Sequence, residues 1–315
     1  MENLLEYCAP KSQNKLKTSN SQLISDAGEK FEIVKGIPRF VPADNYASAF
    51  GLQWQTYAKT QLDSYSKTDI TRSRLERCLG FPVAGLKGKT VLEVGAGAGR
   101  FTELLVEGGG LIHSIDLSVA VEVNKENIGD KPNYKIAQAS VYEIPYPDNS
   151  FDVVVCLGVI QHTPDPERTI ECLYKKLKPG GLLVIDHYKW RIGYYSTLTP
   201  IYRSILKEMK PVKSKKIVDS LVNFFFPLHW NFKNVFIVNW LIHRVSPLIV
   251  YMKDFPEQDR KFHYEWSKLD TYDQLTDYYK HLRSPEQIQK TLERLGGKNI
   301  WINVGGNGVE ARCVK

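Results

Sequence analysis

Val91-Leu-Glu-Val-Gly-Ala-Gly-Ala-Gly-Arg-Phe101 sets the fold of this 315-residue chain. An aliphatic run stops at three glycines spaced by single alanines, and a helical pattern follows. The pattern predicts a buried strand turning tightly into a helix N-terminus. Gly95, Gly97 and Gly99 let the backbone bend without a Cβ and let a ligand lie against bare peptide. A nucleotide-like cofactor is the expected occupant of such a turn.

The neighbours select among cofactors. In a dinucleotide fold the helix N-terminus faces a pyrophosphate, whose charge suits free N–H groups. Here Glu93 stands two residues before the first glycine. A carboxylate there repels phosphate and suits an ammonium or sulfonium centre. Asp116 ends the next apolar segment, Leu111-Ile-His-Ser-Ile115, 19 residues beyond Gly97. An acid at that distance fits the two hydroxyls of a ribose. Together these acids describe S-adenosylmethionine better than NAD.

With those residues in place, the chain resembles the class I S-adenosylmethionine-dependent methyltransferases. Glu93 to Gly99 is similar to that family's first motif, and Ile115-Asp-Leu-Ser118 to its ribose-binding acid. Ala139-Ser-Val-Tyr-Glu-Ile-Pro145 resembles the segment that brackets the adenine, although Ser140 stands where the family often has an acid. Phe151-Asp-Val-Val-Val-Cys156 matches the fourth strand, and Leu177-Lys-Pro-Gly-Gly181 leads into the fifth. The resemblance implies cofactor contacts from Glu93, Gly95, Ala96, Gly97, Gly99, Arg100, Asp116, Leu117, Ser140, Val141, Cys156, Leu157 and Gly158. It also implies an α/β, Rossmann-like, mostly parallel sheet of seven strands whose last strand runs antiparallel.

Flanking segments extend this core. Residues 1–43 alternate apolar and polar positions across turn signals and read as a small β module. That module resembles the zinc ribbon preceding some methyltransferases, but only Cys8 of the expected four cysteines is present, so a docking or dimer surface without metal is expected. Residues 44–87 read as a helical lid, with Trp54 and Tyr57 as candidate substrate contacts. The cofactor core runs over 88–189. In it, Asp165-Pro-Glu167 caps a helix whose Ile170, Leu173, Tyr174 and Leu177 share one face. Residues 190–280 form an insertion far longer than an ordinary connection, read as a helical cap forming the acceptor pocket. Its basic run (Lys207, Lys210, Lys213, Lys215, Lys216) and following aromatic stretch also suit contact with a membrane surface or a lipid-linked substrate through 207–244. Residues 281–315 supply a capping box at Ser284-Pro-Glu-Gln287 and a terminal β-hairpin around Gly305-Gly-Asn-Gly308.

Composition fits a globular enzyme: 43% of residues are apolar and the formal net charge is +7. Five cysteines without paired spacing suggest neither disulfides nor a zinc site, and Met1–Cys8 is short and acidic rather than a cleavable signal, so a cytoplasmic location is expected. The position after the fourth strand, Cys156-Leu-Gly-Val, lacks the Pro-Pro motif of base amino-methylation, and no Pro-Cys pair serves carbon-5 attack. DNA is therefore set aside. A sugar, glycan or other small-molecule hydroxyl is the expected acceptor, with RNA methylation and non-catalytic cofactor binding as the alternatives. Gly158-Val-Ile-Gln-His162 and Asp270 to His281 are also similar to methyltransferases found with bacterial surface-polysaccharide synthesis. A hydroxyl needs a base to take its proton. His162, closing the loop after the fourth strand, is the first candidate; Asp186 and His187 at the end of the fifth are the second, with Tyr188 as a substrate contact. No metal-ligand cluster is evident, so metal-free catalysis is expected.

Overall fold

The computed structural model describes residues 4–42, 45–190 and 197–315, with nothing said of the side chains of Ser48 and Ala49. The parts of the expected β module, lid and cap at residues 1–3, 43–44 and 191–196 lie outside the described residues. The chain divides into two compact units: Met1–Asn45 with Leu62–Trp190 and Tyr279–Lys315, and Tyr46–Gln61 with Arg191–Tyr278.

The first unit opens with β1 (Leu16–Ser19), β2 (Gln22–Ser25), β3 (Lys30–Val34) and β4 (Ile37–Arg39). Helix α1 (Ser48–Thr56) belongs to the second unit, and α2 (Asp63–Ser66) and α3 (Ile70–Leu79) return to the first. The core then alternates β5 (Thr90–Val94), α4 (Thr102–Glu107), β6 (Leu111–Asp116), α5 (Ala120–Ile128), β7 (Tyr134–Gln138), β8 (Phe151–Cys156), α6 (Pro166–Lys176) and β9 (Leu177–Tyr188). The second unit holds α7 (Thr199–Leu206), α8 (Pro211–Asn231), α9 (Phe236–Val245) and α10 (Arg260–Thr276). The chain ends in α11 (Pro285–Arg294), β10 (Lys298–Gly305) and β11 (Gly308–Val314).

The sheet has eleven strands in the order β1-β2-β3-β4-β7-β6-β5-β8-β9-β11-β10, which corrects the expected seven. Seven of these, β7 to β10 in that order, are the expected core, and β11 lies antiparallel between β9 and β10. The four extra strands are the N-terminal module. Its β4 joins β7 in parallel through Arg39 and Gln138, and the Phe40 N–H donates to the Gln138 carbonyl at 2.8 Å. An unpaired β7 would present a bare sheet edge, and the module occupies that edge. Leu23 and Phe40 are buried with Ala137 and Tyr146 in the same apolar cluster, so the module shares the core's interior.

Strand β5, Thr-Val-Leu-Glu-Val, is aliphatic because both faces are covered, as in parallel sheets generally. Asp165 accepts from the Arg168 N–H at 3.1 Å as the cap of α6. Ser284 and Gln287 form the reciprocal capping box of α11. The second unit has its own apolar core, in which Leu206 from α7, Val218, Val222 and Phe226 from α8, and Tyr272 and Leu275 from α10 are buried together with Leu248.

Candidate active site

The carboxyl ends of β5, β6, β8 and β9 gather most of the chemistry read from the sequence. Gly95, Gly97 and Gly99 all have positive φ, at 79°, 50° and 102°. At Gly95 space forbids a side chain as well: a Cβ there would lie 2.1 Å from Val159 Cγ2. The turn after β8 therefore packs directly on the glycine turn. Gly158 has the same φ of 79°, yet a Cβ on it would meet nothing within 4 Å. The backbone at Gly158 is therefore open on the side where a Cβ would stand.

Asp116 ends β6 and accepts from the Gly97 N–H at 2.9 Å, the Ser118 N–H at 2.8 Å and the Ser118 hydroxyl at 2.7 Å. Burial raises its pKa, against the pull of those donors. The carboxylate thus clasps the glycine turn. Glu93 is turned inward: its Oε2 accepts from the Thr102 hydroxyl at 2.7 Å and the Ser114 hydroxyl at 2.6 Å. Burial pushes its carboxyl up to about 7, aided by the Asp116 charge and opposed by the two hydroxyls. Glu93 braces α4 against β6 through those bonds.

The remaining cofactor candidates line the same strand ends. Ala96 is buried and its carbonyl accepts from Asn124 at 3.2 Å. Arg100 donates to the Thr71 hydroxyl at 3.2 Å and lies over the Phe101 ring. The Leu117 carbonyl takes bonds from Gln138 and Asn45. Ser140 follows β7, and its hydroxyl accepts from the Tyr142 N–H, making a side-chain turn that holds Val141 between them. Cys156 and Leu157 are buried, and burial drives the Cys156 thiol well up.

The catalytic candidates separate on their partners. Asp186 is buried, paired with Arg74, and accepts from the Gly158 N–H at 2.6 Å. Arg74 also faces Glu310 on β11 at 3.9 Å, and Glu310 is held by Arg77 at 2.7 and 2.8 Å. This buried network ties α3, β9 and β11 to the turn carrying Gly158. A carboxylate so engaged is a brace, poorly disposed to take a substrate proton. His187 is also buried, with Nδ1 against the Tyr188 carbonyl at 3.0 Å, and desolvation brings its pKa down to about 4. His162 lies in the short turn Ile160–His162, and its Nδ1 is 3.3 Å from the Tyr279 carbonyl. A carbonyl only accepts, so in this contact Nδ1 is the donor. The Tyr188 ring meets the His162 ring edge-on at 5.2 Å.

Trp54 and Tyr57 belong to the second unit. The Tyr57 hydroxyl donates to Asp219 at 3.3 Å, and Lys215 lies over its ring. Two residues were missed by the sequence reading. Gln161 is fully buried, and neither of its amide atoms has a hydrogen-bond partner among the described residues. The Gln161 main-chain carbonyl accepts from the backbone N–H of His281 at 3.0 Å, and the His281 Nε2 also lacks a partner. Gln161 sat inside a quoted motif, but its burial was not visible there.

Residues 92–185 match the family described as a methyltransferase domain. The chain is 38% identical over 135 residues to phosphoethanolamine N-methyltransferase 2 of Caenorhabditis elegans, covering 40% of this chain and 30% of that protein. It is 36% identical over 109 residues to a ubiquinone biosynthesis O-methyltransferase of Pseudomonas paraeruginosa, covering 33% of this chain and 46% of that one. The chain thus spans less than half the length of these relatives. Among solved structures, magnesium protoporphyrin IX methyltransferase of Synechocystis overlays with a TM-score of 0.47 at 11% identity, over 86% of this chain and 96% of its own.

Proposed function

We propose that this chain transfers a methyl group from S-adenosylmethionine to a hydroxyl of a sugar, glycan or other small molecule. The observation that carries the reading is the clasp of Asp116 on the Gly97 N–H of the glycine turn. Asp116 and the backbone of 95–99 would hold the ribose and the amino-acid tail, and the 157–158 turn would border the nucleoside. When bound, the cofactor supplies an electrophilic methyl on a sulfonium centre. The acceptor must then be aligned and relieved of a proton. His162 is the proposed base, acting at Nε2, with Nδ1 donating to the Tyr279 carbonyl. Desolvated His187 stays neutral and is the reserve candidate.

Calorimetry with S-adenosylmethionine, S-adenosylhomocysteine and NAD, on wild type and Asp116→Ala, tests the cofactor half. The adenosyl ligands should bind, NAD should not, and the substitution should weaken binding roughly 10- to 100-fold, the worth of lost charge-assisted hydrogen bonds. Binding of NAD alone would overturn the reading. Radiolabelled methyl transfer to panels of sugars, quinols, phospho-bases and RNA then tests the acceptor half. Transfer to RNA, or to an amine rather than a hydroxyl, would replace it.

A further inference from the structure

Helix α9 is built inside out. At 3.6 residues per turn, Phe236, Ile237, Trp240, Leu241, Arg244 and Val245 fall within about half of its circumference. Apart from half-buried Arg244, that half faces solvent, with Phe236 78% and Ile237 70% exposed. The opposite half turns Asn239, the helix's buried residue, toward the second unit's interior. A surface helix ordinarily does the reverse. The apolar face continues beyond α9. The Leu198 N–H donates to the Arg244 carbonyl at 3.1 Å, which sets the exposed row Leu198, Ile201 and Ile205 of α7 beside the end of α9.

Charge chooses the occupant. Residues 197–245 hold eight Lys or Arg and two acids, a net of +6 within a chain of +7. Arg244 lies over Trp240 on this face at 4.6 Å, and Lys233, just before α9, lies over Trp230 at 3.9 Å. Two copies of so positive a surface would repel each other, which argues against a self-associating face. Apolar side chains mixed with aromatic–cation pairs suit the boundary between acyl chains and anionic headgroups. No helix among the described residues is long and apolar enough to cross a membrane.

We infer that α9, with the exposed row of α7, docks in the plane of an anionic phospholipid bilayer. Phe236, Ile237, Trp240 and Leu241 enter the acyl boundary, while Lys233, Arg244 and the lysines of 207–216 meet the headgroups. This surface stands independently of the methyl-transfer reading, since none of its residues belongs to the candidate active site.

The test is co-sedimentation of the full chain with vesicles of phosphatidylcholine alone and of phosphatidylcholine with about 30% phosphatidylglycerol, a charge density chosen to give a strong surface potential. Binding to the anionic vesicles is expected, weakening several-fold as salt rises from about 0.1 M to about 0.5 M. Phe236→Ser with Trp240→Ser should cut it at least 10-fold, since about two large apolar side chains leave the interface. Lys233→Glu, which keeps the apolar face, should weaken it by a smaller factor. Melting temperature and S-adenosylhomocysteine affinity should match wild type in both variants, separating this result from misfolding and from failure of the cofactor reading. Equal partitioning onto neutral vesicles, no loss in the double variant, or light scattering showing a dimer that the two serines dissolve would each overturn the proposal.

Discussion

Glu93 offers a direct test of how the glycine turn is held. Its carboxyl rises from the ordinary 4.5 to about 7 because it is buried, with the Thr102 and Ser114 hydroxyls and the Thr102 backbone only partly offsetting that burial. Between those values the folded chain keeps a proton that the unfolded chain has lost. Unfolding then releases a proton, so stability falls as pH rises across this window and levels off above about 7. The shift corresponds to about 3 kcal/mol at pH 8. Glu93→Gln removes the ionisation and leaves an amide oxygen that both hydroxyls can still donate to. Its stability relative to wild type should therefore climb by most of about 3 kcal/mol between pH 5 and pH 8, with the two curves nearest at the acid end. Urea unfolding at fixed pH steps measures it. A difference independent of pH over that range would mean that Glu93 is ionised throughout and that the argument from burial fails.

Other substitutions probe other parts of the site. Gly95→Ala and Gly158→Ala demand the same positive φ of 79°, but only the first drives a Cβ into Val159. Urea unfolding should show Gly95→Ala costing more by about 1–3 kcal/mol, an overpacking penalty, while Gly158→Ala chiefly weakens S-adenosylhomocysteine binding in calorimetry. Equal stability losses would refute the close packing of the two turns. Arg74→Met leaves Asp186 buried without its cation and should destabilise by about 3–5 kcal/mol, read by urea unfolding. Gln161→Leu should leave the free chain equally stable or raise its melting temperature, because neither amide atom is bonded. If the amide meets the acceptor, KM for the acceptor rises in the same variant while S-adenosylhomocysteine affinity holds.

Local chemistry was legible in the sequence wherever one short segment carried it. The glycine turn, the Asp165 cap, the Ser284–Gln287 capping box and the terminal hairpin each depend on residues within a few positions of one another. The eleven-stranded sheet was not legible, because alternation in residues 16–39 marks strands without naming the edge they join. That edge is set by the single pairing of Arg39 with Gln138, 99 residues apart. Distance along the chain also hid the role of Asp186. Its position at the end of β9 suggested a base, yet its partners come from Arg74 on α3 and from the turn at Gly158.

Helix α9 ends the 207–244 stretch for which the sequence suits either a helical cap or contact with a membrane surface. Its sequence, Phe-Ile-Val-Asn-Trp-Leu-Ile-His-Arg-Val, is apolar enough to suggest part of a cap's own core. That core is instead made by Leu206, Val218, Val222, Phe226, Leu248, Tyr272 and Leu275, with no buried apolar residue from α9. Burying a polar Asn239 while leaving Phe236 and Trp240 in water forfeits hydrophobic stabilisation of roughly 1.5–3 kcal/mol for each large side chain. Rotating the helix by half a turn would recover that energy within the chain. The exposed apolar face of α9 is therefore a cost within the chain, and the vesicle experiment asks whether a bilayer offsets it.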